Sequence, residues 1–190
     1  MLDFCDDGDD AFLAIEYMPN GSLATYLRKN EATITTELRT RWIRQTVEGV
    51  ALLHANGVIH ADLKPTNLLL DGDLNLRIAD FGGCSLLGQP PYILESGPFY
   101  LPAAWRDKDE LGCNAATDLF ALGSCIFQIA TGRQPYDGME DGDVEKKFAS
   151  REFPSLDGVL FAGVVRRCWL SELESAEAVL DALTLEAKNS

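Results

Sequence analysis

Two short polar segments of the sequence carry residue types suited to one chemistry. The first is His60-Ala61-Asp62-Leu63-Lys64-Pro65-Thr66-Asn67, and the second is Asp80-Phe81-Gly82, thirteen residues after Asn67. Asp62 is a potential acceptor for the proton of an attacking hydroxyl, and Lys64 is a cation able to balance charge on a γ-phosphate. Asn67 and Asp80 offer the hard oxygen atoms that Mg²⁺ prefers. The pattern therefore predicts a centre for phosphoryl transfer.

The residues between the two segments predict a β-hairpin that brings the segments together. The hairpin consists of an apolar run, a turn signal and an alternating strand, in this order: Leu68 to Leu70, Asp71 to Asp73, and Leu74, Leu76 and Ile78. Such a hairpin returns Asp80 to the side of Asn67. Gly82 then permits the backbone freedom with which the chain leaves the site.

Each segment taken alone has a second interpretation. Asp-x-x-x-x-Asn is a common turn composition and Asp-Phe-Gly is three frequent residues, so either by itself favours an ordinary loop. Together and in order, with Lys64-Pro65 between them and a hairpin joining them, they favour a site. His60 follows the apolar Val58 and Ile59, which favours a buried, hydrogen-bonded histidine without a chemical role.

With these residues, the sequence resembles the protein kinase family over nearly its whole length, from the hinge to the end of the large lobe. Lys64 followed by Pro65 resembles the serine/threonine branch more than the tyrosine branch. The resemblance implies an enzyme that transfers the γ-phosphate of ATP, with Mg²⁺, to a protein hydroxyl. It implies that Asp62 and Lys64 are catalytic and that Asn67 and Asp80 are metal ligands.

The resemblance also implies a nucleotide pocket. The run from Ala11 to Met18 is apolar and strand-like, and a turn signal, Pro19-Asn20-Gly21, follows it. By itself this stretch favours an ordinary edge strand. In a protein kinase it is the hinge, whose backbone groups bind the adenine edge. The implied pocket residues are the gatekeeper Ile15, the hinge residues Glu16 and Met18, Ser22, and Leu69 as the floor under the base.

Periodic apolar positions predict a mainly helical α+β fold, and the resemblance implies the architecture of a protein-kinase large lobe with a hinge strand. Helices are predicted at 22–29, 35–56, 116–131, 144–150, 158–170 and 175–187. Thr35 is the predicted N-cap of the second helix, and Gly57 follows its end. The third helix is apolar nearly all round, which suits a buried central helix. In the family such a helix anchors the catalytic loop through an aspartate near its start, a place that Asp118 occupies here.

Composition limits the function classes. The chain has 190 residues, 46% of them apolar, and no apolar run long enough to span a membrane. The net charge of −14 argues against binding to nucleic acid, and a basic protein substrate is compatible with it, although acidic surfaces commonly serve solubility alone. Five cysteines without a Cys-x-x-Cys pair favour a reducing, intracellular and cytoplasmic location, with the nucleus as an alternative. The oligomeric state has no sequence signal.

Only ten residues precede the hinge strand, and the sequence contains no glycine-rich loop and no Val-Ala-x-Lys strand. The resemblance therefore predicts a single truncated domain, with the end of the small lobe and the hinge at 1–20 and the large lobe at 21–190. Phe81 and His60 are then expected to lack their apolar cover and to form an exposed patch.

Three positions depart from the family pattern. Ala61 replaces an arginine that reads an activation-loop phosphate, Gly97 stands where a threonine is typical, and Ala104 replaces the glutamate of Ala-Pro-Glu. These departures make activation by loop phosphorylation doubtful and weaken the serine/threonine assignment.

Three hypotheses about function remain open. The first is a divergent protein kinase, and the second is a catalytically inactive, kinase-like interaction module. The third is a small-molecule phosphotransferase of related fold, against which Lys64-Pro65 and Asp80-Phe81-Gly82 speak.

Overall fold

The computed structural model describes residues 3–6, 11–86, 97–105 and 112–188. Within these ranges the helices are α1 Leu23–Asn30, α2 Thr36–Ala55, α3 Ala115–Thr131, α4 Asp141–Ala149, α5 Ala162–Trp169 and α6 Ala176–Lys188. The strands are β1 Asp3–Asp6, β2 Ala11–Ala14, β3 Val58–Ile59, β4 Leu68–Leu70, β5 Leu76–Ile78 and β6 Ser85–Leu86. The prediction of a mainly helical fold is confirmed.

Helix α3 lies at the centre of the molecule, packed between α2 and α5. Every residue from Thr117 to Phe127 is buried, as the apolar pattern predicted. Asn114 begins the helix with a capping box, because its side chain accepts the N–H of Thr117 while its own N–H donates to the Thr117 hydroxyl. Around this helix the core is continuous, so α3 is a rigid base for the loops that contact it.

Helix α2 begins and ends as the sequence predicts. The Thr35 hydroxyl accepts the Leu38 N–H at 3.2 Å, and Gly57 follows the last turn with a φ of 71°. Trp42 and Ile43, on the inner face, are fully buried. The predicted cap at Thr35 is confirmed.

Two helices start three or more residues away from their predicted first residues. Helix α4 starts at Asp141, three residues before the prediction, and α5 starts at Ala162, four residues after it. The second difference has a backbone cause: Gly158 and Phe161 have left-handed φ values of 70° and 58°, which interrupt a helix.

The strands form three separate antiparallel pairs, β1 with β2, β3 with β6 and β4 with β5. Within the strand-like run from Ala11 to Met18, the strand covers Ala11–Ala14, and Ala14 pairs with Asp3, the first residue of β1. Beyond it, Ile15 and Tyr17 are exposed. In the part of the chain that the structure describes, no helix has the length and hydropathy that crossing a membrane requires.

Candidate active site

The Asp118 carboxylate ties the segment before Asp62 to helix α3. Asp118 is 1% exposed and accepts the N–H of His60 at 2.8 Å on Oδ2 and the N–H of Ala61 at 3.0 Å on Oδ1. His54, in the last turn of α2, places Nε2 2.9 Å from the same Oδ2. Since Oδ2 is an acceptor, His54 Nε2 carries the proton of this contact. The anchoring role that the resemblance implied for Asp118 is confirmed by this geometry.

Ala61 adopts a left-handed conformation, with a φ of 64°. For a residue other than glycine this costs about 1–2 kcal/mol. The conformation allows two successive N–H groups to converge on one anion, which is the Asp118 carboxylate here. The charge-assisted hydrogen bonds offset the strain and set the direction in which the chain enters Asp62.

His60 connects the same segment to the end of β5. The N–H of Asp62 donates to His60 Nδ1 at 3.3 Å, so Nε2 carries the proton and donates to the Ala79 carbonyl at 3.0 Å. The prediction of a buried, hydrogen-bonded histidine is confirmed. The prediction that His60 is exposed is wrong, because the Phe81 ring packs against it with centroids 5.3 Å apart and His60 is 0% exposed. Phe81 itself is 45% exposed, as expected.

Asp62 and Asn67 form one hydrogen-bonded unit, and each is 7% exposed. The Asn67 amide nitrogen donates to the Asp62 backbone carbonyl at 2.8 Å and to Asp62 Oδ2 at 2.9 Å. Both amide protons are thereby engaged, which leaves the amide oxygen Oδ1 to accept other groups. Among the described residues it accepts only one long bond, at 3.4 Å, from the Thr66 hydroxyl.

Lys64 lies against the second oxygen of Asp62. Its Nζ is 2.5 Å from Asp62 Oδ1, and this oxygen is buried. Oδ1 therefore has an ionic contact and no hydrogen-bond donor among the described residues. Asn67 therefore holds Oδ2 of Asp62, while Oδ1 faces the Lys64 ammonium.

The predicted hairpin is present, with a longer turn than the sequence suggested. Leu68 pairs with Ile78 and Leu70 with Leu76. The turn runs from residue 71 to 75 because Asp71 Oδ1 accepts the N–H groups of residues 73 and 75, at 2.9 and 2.8 Å. Beyond the last pair, the Ala79 N–H donates to the Asn67 carbonyl at 2.8 Å.

Asp80 therefore directly follows Ala79, whose N–H is hydrogen-bonded to the Asn67 carbonyl. It is exposed and has a left-handed φ of 63°. No hydrogen bond or ion pair joins its carboxylate to any residue that the structure describes. The register of the hairpin agrees with the predicted return of Asp80 to the side of Asn67.

Two of the five implied nucleotide-pocket residues lie against each other. Ser22 and Leu69 form a β-bridge, flanked by a bond from the Leu70 N–H to the Gly21 carbonyl at 2.9 Å. Met18, also half-buried, closes the turn before them by accepting the Gly21 N–H at 3.0 Å.

The other two implied pocket residues, Ile15 and Glu16, are exposed. The Glu16 carbonyl and the Met18 N–H make no backbone hydrogen bond with the described residues.

Three residues that hold the site have no motif in the sequence. His54 contacts Asp118, Cys125 Sγ lies 3.7 Å from the Leu63 carbonyl, and Ser124 donates to the Pro98 carbonyl. Cys125 follows Asp118 by seven residues, two turns of α3, so the two share a helix face. That spacing is a sequence signal by which Cys125 could have been identified. His54 and Ser124 have no such signal in the sequence.

Gly97, at the family's threonine position, lies under an acidic side chain of α4. It has a φ of 83°, and a Cβ added there would come within 2.9 Å of Asp141 Oδ1. The space that a threonine needs is thus occupied. Ala104 is exposed, so the absence of the family's glutamate leaves no buried charge uncompensated there. Ser96 and Tyr92, in the same segment, lie outside the described residues.

Comparison with known proteins agrees with this geometry. A family model described as "Protein kinase domain" matches residues 1–160. Serine/threonine-protein kinase PDK1 of Cryptococcus neoformans var. grubii serotype A is 28% identical over 80% of this chain and 13% of its own length. Serine/threonine-protein kinase PLK4 of Danio rerio is 30% identical over 72% of this chain and 15% of its own length.

A plant protein is similar as well. L-type lectin-domain containing receptor kinase IV.1 of Arabidopsis thaliana is 33% identical over 75% of this chain and 22% of its own length. The chain thus spans less than a quarter of the length of each of these relatives. Because the family model covers most of the chain and the relatives are protein kinases, this protein belongs to the protein kinase domain family.

Proposed function

We propose that this chain catalyses the transfer of the γ-phosphate of ATP, with Mg²⁺, to a serine or threonine hydroxyl of a protein. The observation that supports it best is the contact of Asp62 with both Lys64 and Asn67, next to a hairpin that ends at Asp80. The residue types of Asp62, Lys64, Asn67 and Asp80 have the chemistry that phosphoryl transfer needs.

Asp62 is the proposed acceptor of the hydroxyl proton. The hydroxyl oxygen forms a bond to the γ-phosphorus, the bond from that phosphorus to the bridging oxygen of ADP breaks, and the proton passes to Asp62 Oδ1. This oxygen lacks a hydrogen-bond donor among the described residues, while Oδ2 is held by Asn67 at 2.9 Å. Lys64, 2.5 Å from Oδ1, supplies positive charge next to the transferring phosphoryl group.

Asn67 and Asp80 fit Mg²⁺. Asn67 has committed both amide protons to Asp62, so its oxygen is the atom left for a cation, and the exposed Asp80 carboxylate has no partner within the described ranges. No group of three or more His, Cys, Asp or Glu side chains in those ranges is placed to hold a metal, so phosphate and water oxygens would complete the octahedron. When bound, Mg²⁺ would neutralise charge on the phosphate oxygens.

The adenine is proposed to bind between the hinge and Leu69. The Glu16 carbonyl and the Met18 N–H are an acceptor and a donor without backbone partners among the described residues. Leu69 is half-buried and joined to Ser22 by a β-bridge, so an apolar floor and a hydroxyl lie side by side. Ile15 is proposed as the gatekeeper on the basis of the resemblance.

We propose that residues 1–190 form a single domain. Residues 1–20 would be the end of the small lobe and the hinge, and residues 21–190 the large lobe. A cytoplasmic or nuclear location is proposed because ATP is available there. The overall charge of −14 is compatible with a basic substrate.

The test is transfer of label from γ-phosphate-labelled ATP to a library of serine and threonine peptides. We expect Mg²⁺-dependent labelling that Asp80→Asn abolishes, because the amide replaces an anionic ligand. Asp181→Asn, an exposed change on α6, is the matched control and should leave the rate unchanged. Wild-type activity in Asp80→Asn would show that the metal assignment is wrong.

A catalytically inactive interaction module is the second candidate. It is favoured by Gly97, where Asp141 fills the space of the family's threonine, and by the exposed apolar side chains of Leu52 and Phe81. This candidate predicts no label transfer with any peptide, even where MgATP raises the melting temperature. A small-molecule phosphotransferase has no observation in its favour.

A further inference from the structure

The short turn Gly97–Phe99 lies beside the candidate active site. Its residues Pro98 and Phe99 share with Lys64 the lining of a cavity of about 580 Å³. Asp62 is next to this cavity, because the Lys64 Nζ is 2.5 Å from Asp62 Oδ1. A hydroxyl that approaches Asp62 from this side passes the turn, so the position of the turn bears on the reaction.

The turn is tied to the core through Ser124 of α3. Gly97 has no side chain with which to hold the turn against its surroundings. Among the described residues, the bond from the Ser124 hydroxyl to the Pro98 carbonyl is the only hydrogen bond that joins residues 97–99 to another helix or strand. Ser124 and Pro98 are both buried, so water does not compete for this bond.

Trp169, on α5, fixes the direction of that hydroxyl. Its indole N–H donates to Ser124 Oγ at 2.9 Å, so the single hydroxyl proton of Ser124 is left to point at Pro98. The indole is itself held, because the Phe153 ring stacks on it with centroids 5.6 Å apart. A relay of two hydrogen bonds therefore runs from α5 through α3 to the turn.

Gly123 allows α5 to approach closely enough for this relay. A Cβ at that position would lie 2.7 Å from Cys168 Cβ and 3.2 Å from Trp169 Cδ1. A larger residue would therefore push Trp169 away from Ser124.

The residue after Ser124 holds the segment of the proposed proton acceptor. Cys125 Sγ lies 3.7 Å from the carbonyl of Leu63, the residue between Asp62 and Lys64. Ser124 and Cys125 are consecutive residues of a buried helix, so their side chains leave one rigid support about 100° apart. The turn and the segment of Asp62 are thus both fixed to the same point of α3.

We propose that Ser124, oriented by Trp169, is a positioning residue that fixes the turn at 97–99 beside Lys64 and thereby sets the affinity for the protein acceptor. The proposal rests on the proposed function and deepens it, because it assigns two core residues to the acceptor side of the reaction. If the turn leaves its place in part of the molecules, only the remaining fraction binds the acceptor well, and the apparent affinity falls by that fraction. Bound acceptor restores the turn, so the rate at saturation is retained.

Steady-state kinetics with a serine peptide test this role. In Ser124→Ala we expect the KM for the peptide to rise by about two- to ten-fold, the range that the loss of one hydrogen bond corresponds to. The kcat and the KM for ATP should stay unchanged. Trp169→Phe should raise the peptide KM less, because the hydroxyl is still present to reach Pro98.

Thr46→Val is the matched control. Thr46 is also 0% exposed, and its hydroxyl donates to the Trp42 carbonyl at 2.8 Å within α2. The variant removes a buried hydroxyl away from the turn, so the peptide KM should stay at the wild-type value. If Ser124→Ala does not fold, Ser124→Cys takes its place, since a thiol is only a weak donor.

Amide hydrogen exchange tests the relay without ATP or peptide. The Tyr100 N–H donates to the Gly97 carbonyl at 3.3 Å, so its exchange reports the opening of the turn. We expect this exchange to become about two- to ten-fold faster in Ser124→Ala and to stay at the wild-type rate in Thr46→Val.

An unchanged peptide KM in an active Ser124→Ala enzyme would overturn the proposal. Equal exchange at Tyr100 in Ser124→Ala and Thr46→Val would overturn it as well. If the wild type transfers no label to any peptide, the proposed function fails, and the exchange at Tyr100 still decides whether Ser124 holds the turn.

Discussion

Asn67 gives both N–H groups of its side-chain amide to Asp62, one to the backbone carbonyl at 2.8 Å and one to Oδ2 at 2.9 Å. The inverted amide would place an oxygen against two acceptors, so the network settles which atom faces outward. One residue thus holds the proposed proton acceptor in place, and its remaining amide oxygen is the proposed Mg²⁺ ligand.

Asn67→Ala removes one hydrogen-bond donor from the nearly buried Asp62 carboxylate and one from the Asp62 backbone carbonyl. We expect the free energy of unfolding to fall by about 1–3 kcal/mol, because the Asp62 oxygen and carbonyl lose their hydrogen-bond partners. Urea denaturation measures this change, and label transfer should be lost as well. Asn56→Ala, which removes one exposed bond at the end of α2, is the control and should cost less. Full transfer activity in Asn67→Ala would contradict both roles.

Asp62→Ala tests the proton acceptor itself. We expect kcat to fall by about 10²–10⁴-fold, the range for loss of a general base. The KM for ATP should change little, since Asp62 is not proposed to bind the nucleotide. Asp73→Ala, an exposed aspartate in the hairpin turn, should leave kcat unchanged. An unchanged kcat in the Asp62 variant would assign the proton to another acceptor.

Asp118→Ala should destabilise the protein strongly. It leaves the N–H groups of His60 and Ala61 without their acceptor and removes the partner of His54. The expected loss is about 3–5 kcal/mol, typical of breaking a buried charged network from one side. His54→Ala, which removes one of the three contacts, should cost clearly less. Denaturation curves for the two variants compare them, and equal losses would mean that the backbone contacts contribute nothing.

Gly97→Thr, which restores the residue typical of the family, is expected to destabilise this chain. A threonine at a φ of 83° is strained by about 1–2 kcal/mol, and its Cβ would also crowd Asp141 Oδ1 at 2.9 Å. A double-mutant cycle with Asp141→Ala separates the two causes. We expect the Asp141 change to relieve the crowding and leave the strain. Additive effects of the two changes would show that there is no crowding.

The stability of the protein is expected to depend on pH through the buried thiol of Cys168. Burial raises the pKa of its thiol from 9.0 to about 12 in the folded protein. Below pH 9 the thiol is protonated in both states and has no effect. As the pH rises from there toward 12, only the unfolded chain loses the proton, so stability falls by about 1.4 kcal/mol per pH unit from this group.

The comparison uses urea denaturation of the wild type and of Cys168→Ala between about pH 8 and 10. The variant should start less stable, because a buried side chain is shortened, but lose less stability as the pH rises. Cys84→Ala, at a half-buried site, is the matched control and should keep the wild-type slope. Parallel curves for wild type and Cys168→Ala would rule out the raised pKa.

Much of the fold follows from short-range patterns. The helices were predictable because burial repeats with the helical period, and Thr35 and Gly57 mark the ends of α2 by chemistry that depends only on their neighbours. The start of α5 was not predictable in this way. Its apolar residues fit a longer helix, but left-handed residues at Gly158 and Phe161 interrupt it, and no spacing reveals that.

The sequence by itself determined the residue types of the candidate site and their order, because the loop from Asp62 to Asn67 and the hairpin to Asp80 are local structures. Only the tertiary structure decided how these groups are held. The contact of Asp118 with His60 spans 58 residues, and Asp141 reaches Gly97 from another element. Such contacts depend on how α3 and α4 pack in the core, and packing is a property of the whole chain that no local spacing encodes.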